Sequence, residues 1–151
     1  MCRSLLFVFL GVILGGCAQG AGGDSSNGYR GVVSGSRDFN GLEGRFSGAF
    51  YLMVNTVNGL RMVQVNFYPE DANKMGMQDG MVVLTGRVDG NSFQAGEERG
   101  WRFSGQIMGD RVQGDMEGPV DSEGDSLARG KFAGLSDEEG SAKTLVGNYT
   151  G

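Results

Sequence analysis

The chain has 151 residues, enough for one domain with a modest core. It holds 29 glycines, 2 prolines and no histidine, and its formal charge is -5. Without imidazole it lacks the usual general base, the Ser/His/Asp and Cys/His nucleophile systems and the commonest transition-metal ligand. The negative balance argues against nucleic acid as a partner, because phosphate contacts need clustered Lys and Arg.

The N-terminus begins with a positive charge at Arg3, continues as an apolar run over residues 5–14, and ends in Leu14-Gly15-Gly16-Cys17. That layout is a secretory signal, since a run of roughly 10 apolar residues is too short for a bilayer core that takes about 20. Its ending resembles the lipobox of bacterial lipoproteins. The resemblance implies cleavage before Cys17, a lipid on Cys17 and, with Ala18 rather than Asp next, sorting to the outer membrane. Three segments are then expected: a removed signal over residues 1–16, the lipidated Cys17 with a small, polar, flexible tether over residues 17–28, and a folded domain over residues 29–151. The plainer alternative is an ordinary signal peptide that leaves Cys17 a free thiol. Cys2 lies in the removed part, so no intrachain disulfide is expected in the mature chain.

Residues 29–34 read as a short first strand followed by a polar loop through Asn40. The longest hairpin is expected around Asn58-Gly59, a strong turn signal. It sets Val54, Leu52 and Phe50 against Val63, Val65 and Phe67, and on the other face Met53 against Gln64, Tyr51 against Asn66 and Ala49 against Tyr68. Pro69 ends that hairpin, and residues 70–80 form a connection. Its Met75 and Met77, with Met81 beyond, read as adaptable core filler before they read as a soft-metal site. Further hairpins turn at Gly90-Asn91, at Glu98-Arg99-Gly100 with Gly100 in the left-handed position, and at Gly109-Asp110.

The last of these has the clearest register. Ile107, Gly105 and Phe103 oppose Val112, Gly114 and Met116 on an apolar face, while Gln106, Ser104 and Arg102 oppose Gln113, Asp115 and Glu117 on a polar one. A slip of one residue would turn every apolar side chain to water. The acidic loop over residues 121–125 has part of a calcium-loop spacing but lacks its terminal Glu, and reads as solvated. Residues 130–135 and 144–150 read as closing strands.

Eight or nine short strands joined by tight turns predict an all-β fold, an antiparallel up-and-down meander closing into a soluble barrel. The runs Leu84-Thr-Gly-Arg-Val-Asp-Gly-Asn-Ser-Phe93, Gly130-Lys-Phe-Ala-Gly134 and Leu145-Val-Gly-Asn-Tyr-Thr-Gly151 resemble the barrel repeats of transferrin-binding protein B and factor H binding protein, surface lipoproteins of Gram-negative bacteria. That resemblance implies the same barrel and a place at the cell envelope. It assigns host-protein binding to no residue.

The expected function is therefore a membrane-anchored, non-catalytic interaction module. It would be tied to the membrane by Cys17 and would meet an envelope or host protein, with no cofactor and no metal. Candidate contacts are Tyr51, Met53 and Tyr68, on a face less polar than solvent exposure requires, unless the 70–80 connection covers them. Two alternatives are a lipocalin-like carrier of a small apolar ligand and a small outer-membrane barrel. Paired carboxylates among Glu97, Asp115 and Glu117 are the only acid/base candidates, and no spacing singles out a pair.

Overall fold

The computed structural model describes residues 25–137. Eight strands follow one another in chain order and close into an antiparallel barrel: β1 (Ser25–Phe39), β2 (Leu42–Val57), β3 (Leu60–Pro69), β4 (Val82–Asp89), β5 (Ser92–Gly96), β6 (Arg102–Met108), β7 (Arg111–Glu117) and β8 (Ala128–Ser136). A 3-10 turn, Ala72–Met75, lies between β3 and β4. The all-β meander expected from the alternating pattern is therefore the fold. The expected strand at 144–150, Cys17 and the first part of the tether lie outside the described residues.

Each hairpin is set by its turn chemistry. Asn58 and Gly59 both adopt positive φ, 51° and 79°, the type I′ geometry that matches strand twist. Gly109 takes φ 63° alone, the mark of type II′. The registers read from these turns hold, with Val54 opposite Val63, Phe50 opposite Phe67, Ile107 opposite Val112 and Phe103 opposite Met116.

Three details differ from expectation. Asn40 and Gly41, with φ 54° and 75°, make a second Asn-Gly hairpin that joins β1 to β2. Their ladder runs from Phe39 opposite Leu42 to Ser25 opposite Thr56, so β1 is no short strand and this hairpin is the longest. The same strand takes in Ser25–Gly28 from the expected tether. Between β5 and β6 the left-handed residue is Gly96, φ 103°, rather than Gly100: Gly96 is the last residue of β5, where a Cβ would overlap the Trp101 carbonyl that accepts the Glu97 amide at 3.1 Å.

Closure fixes the width. Following the ladder once round from Ser26, through Asn55, Met62, Arg87, Gln94, Ser104, Asp115 and Lys131, leads back to β1 at Ser34, eight residues further on. That stagger, for eight strands, makes a narrow barrel whose interior holds side chains and no channel.

The interior is aromatic. Phe103 is fully buried, with ring centroids 5.6 Å from Phe67 and 5.1 Å from Phe132, and Phe50 lies 5.3 Å from Phe132. Glycines on neighbouring strands make room for these rings, as Gly31 opposite Phe50, Gly35 opposite Phe46, Gly105 opposite Phe93 and Gly114 opposite Phe132. A Cβ on Gly114 would overlap the Ser104 carbonyl and come within 2.7 Å of the Phe132 ring. Each buried ring contributes about 1.5–3 kcal/mol relative to exposure.

At one end, Met75 and Met77 are buried in the same core, with Trp101 stacked on Phe39 at 5.9 Å. The 70–80 connection therefore closes the barrel mouth and leaves the Tyr51 face uncovered. At the other end, the Tyr29 hydroxyl reaches across to donate to the Gly109 carbonyl at 2.9 Å.

The outer belt includes Arg87, Gln94, Asp115 and Lys131, all exposed. A strand facing hydrocarbon would lose about 2–4 kcal/mol for each mid-bilayer Arg or Lys. Apolar inside and charged outside is the reverse of the membrane-spanning alternative. Filled by its phenylalanines, the same barrel leaves an apolar ligand only the outer surface and the ends.

Candidate interaction surface

The three residues singled out from the sequence share one outer wall. Tyr68 on β3 lies opposite Ala49 on β2, which lies opposite Val32 on β1, which lies opposite Ala133 on β8. One row along, Val83, Asn66, Tyr51 and Arg30 follow each other across β4 to β1. Met53 sits in the next row between Gly28 and Gln64. Five strands at about 4.8 Å spacing make this wall roughly 19 Å wide. Val32 is 67% exposed, Val83 47% and Tyr68 41%, while Tyr51 and Met53 are half-buried among their neighbours.

Sequence reasoning missed Val32 and Val83. Their signal lies in the doublets Val32-Val33 and Val82-Val83. A strand sends consecutive side chains to opposite faces, so one valine of each doublet must point out. Val33 is fully buried and Val32 is the outward one.

Tyr51 is held in place by a charged pair. The Arg30 guanidinium carbon lies 5.4 Å from the ring centroid, its Nε lies 2.7 Å from Asp137 Oδ1, and the Tyr51 hydroxyl donates to Asp137 Oδ2 at 3.2 Å. Burial, and then the negative charge of Asp137 and the bond to it, push the phenol above its ordinary range. The ring is thus fixed flat on the wall, a rigid contact that loses little entropy on binding.

Alongside it the surface is mixed. Where β6 and β7 approach closely at Gly105 and Gly114, the outside sinks into an open hollow of about 810 Å³ that begins at Val32 and Ala133 of the same wall and is edged further on by Ser34, Gln106, Gln113 and Lys131. The acid/base candidates do not converge there. Asp115 accepts from Lys131 at 3.0 Å, Glu117 is ion-paired with Arg102, and Glu97 lies in the loop after β5. Met75 and Met77 point into the core while Met81 is exposed, so the three sulfurs do not gather.

In the acidic loop the Asp121 carboxylate accepts the amides of Glu123 at 2.8 Å and Asp125 at 2.9 Å. The bond from the Asp125 amide is the largest cause holding that carboxyl below its usual range, and the oxygens serve the turn itself.

No protein-family model matches the chain, and no curated protein matches it either. The surface must be read from its own chemistry.

Proposed function

We propose that the protein is a lipid-anchored, non-catalytic interaction module of the bacterial envelope, held at the outer membrane through Cys17. On this reading it meets a protein partner with the outer wall of β1 to β4. The observation that carries the reading is the wall itself. Val32, Val83 and Tyr68 stand exposed on a barrel whose interior is already filled. Contiguous apolar surface outside a completed core is a common mark of a contact site. The pinned ring of Tyr51 between them supplies the rigid aromatic anchor typical of such contacts. The signal segment and the lipobox-like ending supply the anchor.

Two measurements test it. Palmitate incorporation and intact mass of the processed protein should show a lipid that Cys17→Ser abolishes. A pull-down from envelope extracts should retain a partner that a folded Val32→Asp/Tyr68→Asp variant retains at least about tenfold less, a loss equivalent to one hot-spot contact. Equal retention by the variant would refute the contact wall, and an unmodified Cys17 would refute the anchor.

A further inference from the structure

β1 outruns its partner at one end of the barrel. Among the described residues Ser25–Gly28 pair with β2 alone, the ladder with β8 starting at Tyr29 opposite Ser136. Together with the β2–β3 hairpin this lip stands about 10 Å beyond the closed part of the barrel, at about 3.3 Å per residue with the strand tilt allowed for. The tip of the lip is apolar. Val57 and Leu60 oppose each other across the Asn58-Gly59 turn at 47% and 69% exposure, and Met62 behind them is 42% exposed. At the opposite end Leu42 stands singly exposed beside the Asn40-Gly41 turn, whereas this tip groups three exposed apolar side chains on one hairpin.

Three further observations say what the tip meets. First, the chain enters the barrel beside it, at Ser25 opposite Thr56. From Ser25 back to Cys17 the backbone reaches at most about 28 Å, however it runs. Second, cations flank the tip. Arg87 lies opposite Met62, Arg61 donates to the Gly90 carbonyl at 2.7 Å, and Arg111 is exposed on the β6–β7 hairpin, against Asp89 and Asp110, while Arg30 on the same rim is paired with Asp137. Third, acidic side chains outnumber basic ones at the far end, with Asp79, Glu97, Glu98, Asp121 and Glu123 against Lys74 and Arg99 in the loops after β3, β5 and β7. An anionic surface attracts the first end and repels the second.

We infer that the β2–β3 hairpin tip, Val57, Leu60 and Met62, is a lipid-docking element that seats the barrel end-on upon an anionic bilayer, with the acidic loops facing away. The inference rests on the anchored reading for the closeness of the membrane, but not for the chemistry of the tip. The apolar side chains enter the headgroup and acyl boundary, to which amphipathic elements sink about 5–10 Å, and the arginines meet the phosphates. A lipid on Cys17 gives proximity, and the tip gives orientation, which a single-point leash cannot.

Trp101 is the only tryptophan and lies at the far end, so a second one can report position. The processed full-length protein carrying Leu60→Trp is placed on vesicles of three parts phosphatidylethanolamine to one part phosphatidylglycerol with brominated acyl chains, with Ser122→Trp as the far-end control. The expected result is bromine quenching and a blue shift for Leu60→Trp alone. Vesicle binding by the unlipidated Cys17→Ser protein, processed at the same site, should weaken by at least about tenfold on Val57→Asp/Leu60→Asp. Circular dichroism shows whether the double variant is folded, and the Leu60→Trp readout stands even if it is not.

Equal quenching at positions 60 and 122, or none at either, overturns the inference. A concentration-dependent dimer that Leu60→Asp abolishes, with no quenching on vesicles, also overturns it and assigns the tip to a second copy. If intact mass shows no lipid on Cys17, the anchored reading fails. The same Leu60→Trp protein added to preformed vesicles then still decides the docking.

Discussion

Tyr29 begins the part of β1 that is paired on both sides and ends across the barrel, its hydroxyl bonded to the Gly109 carbonyl. Burial is the largest cause raising its phenol above the ordinary range, opposed by Arg61 and assisted by Asp110. Tyr51 is shifted the same way. A raised folded-state value means the unfolded chain releases the proton first. The stability these phenols contribute is therefore complete below a pH of about 10 and is lost as pH rises through the folded-state values. Urea unfolding should thus give a midpoint that falls as the pH rises above about 10, and falls less steeply in Tyr29→Phe. That variant should lose about 1 kcal/mol at pH 7, the worth of one neutral hydrogen bond. An unchanged alkaline slope would show that the hydroxyl is solvated in the folded state.

At the scale of elements, β5 with β6 and β7 with β8 interlock by pairing glycine with phenylalanine. A methyl at Gly114 has no space to enter, so Gly114→Ala should destabilise by about 1–3 kcal/mol, even though alanine costs less backbone entropy than glycine. Gln113→Ala, one residue away on the outer face, should stay within about 0.5 kcal/mol. Denaturant midpoints for the two variants check the contrast.

The same elements explain what could be read beforehand. The β2–β3 and β6–β7 registers were legible because a Gly-containing turn lies between strands whose buried inward positions are uncharged and apolar with at most one glycine in each. β1 was not, although Asn40-Gly41 is as strong a turn signal as Asn58-Gly59. Its inward positions are Tyr29, Gly31, Val33, Gly35, Arg37 and Phe39, and two glycines and an arginine break the apolar alternation. The apolar volume at those levels comes from Phe50 and Phe46 on β2. Arg37 is buried in a mouth lined by the 70–80 connection, bonded to the Leu42 carbonyl at 3.0 Å and 3.7 Å from Asp71, partners no local pattern announces. For the candidate wall, register alone placed Tyr51, Met53 and Tyr68 together. Val32 and Val83 joined them only through β1–β2 and β3–β4 pairing, which no single turn specified.

At the scale of the whole molecule, the contact that makes a barrel of a ribbon is β1 against β8, from Tyr29 opposite Ser136 to Arg37 opposite Ala128. These partners are about a hundred residues apart, and such distant closure is slow because its loop entropy is lost before the contacts repay it. The narrow stagger and the charge separation between the two ends are both properties of this closed form.

Strands β1 and β8, being neighbours, bring residues 25 and 137 to the same rim. A short peptide bridging them, with the chain cut between Ser122 and Glu123, would therefore be a circular permutant of residues 25–137 that keeps every strand pair among the described residues. It should unfold cooperatively within about 2 kcal/mol of the parent, as tolerated re-cutting at exposed loop tips does, and a thermal melt measures this. On the proposed anchored reading, grafting residues 1–17 onto its new start would hang the barrel upside down, its acidic loops against the bilayer, and so separate what the proposed contact wall meets from which way it faces.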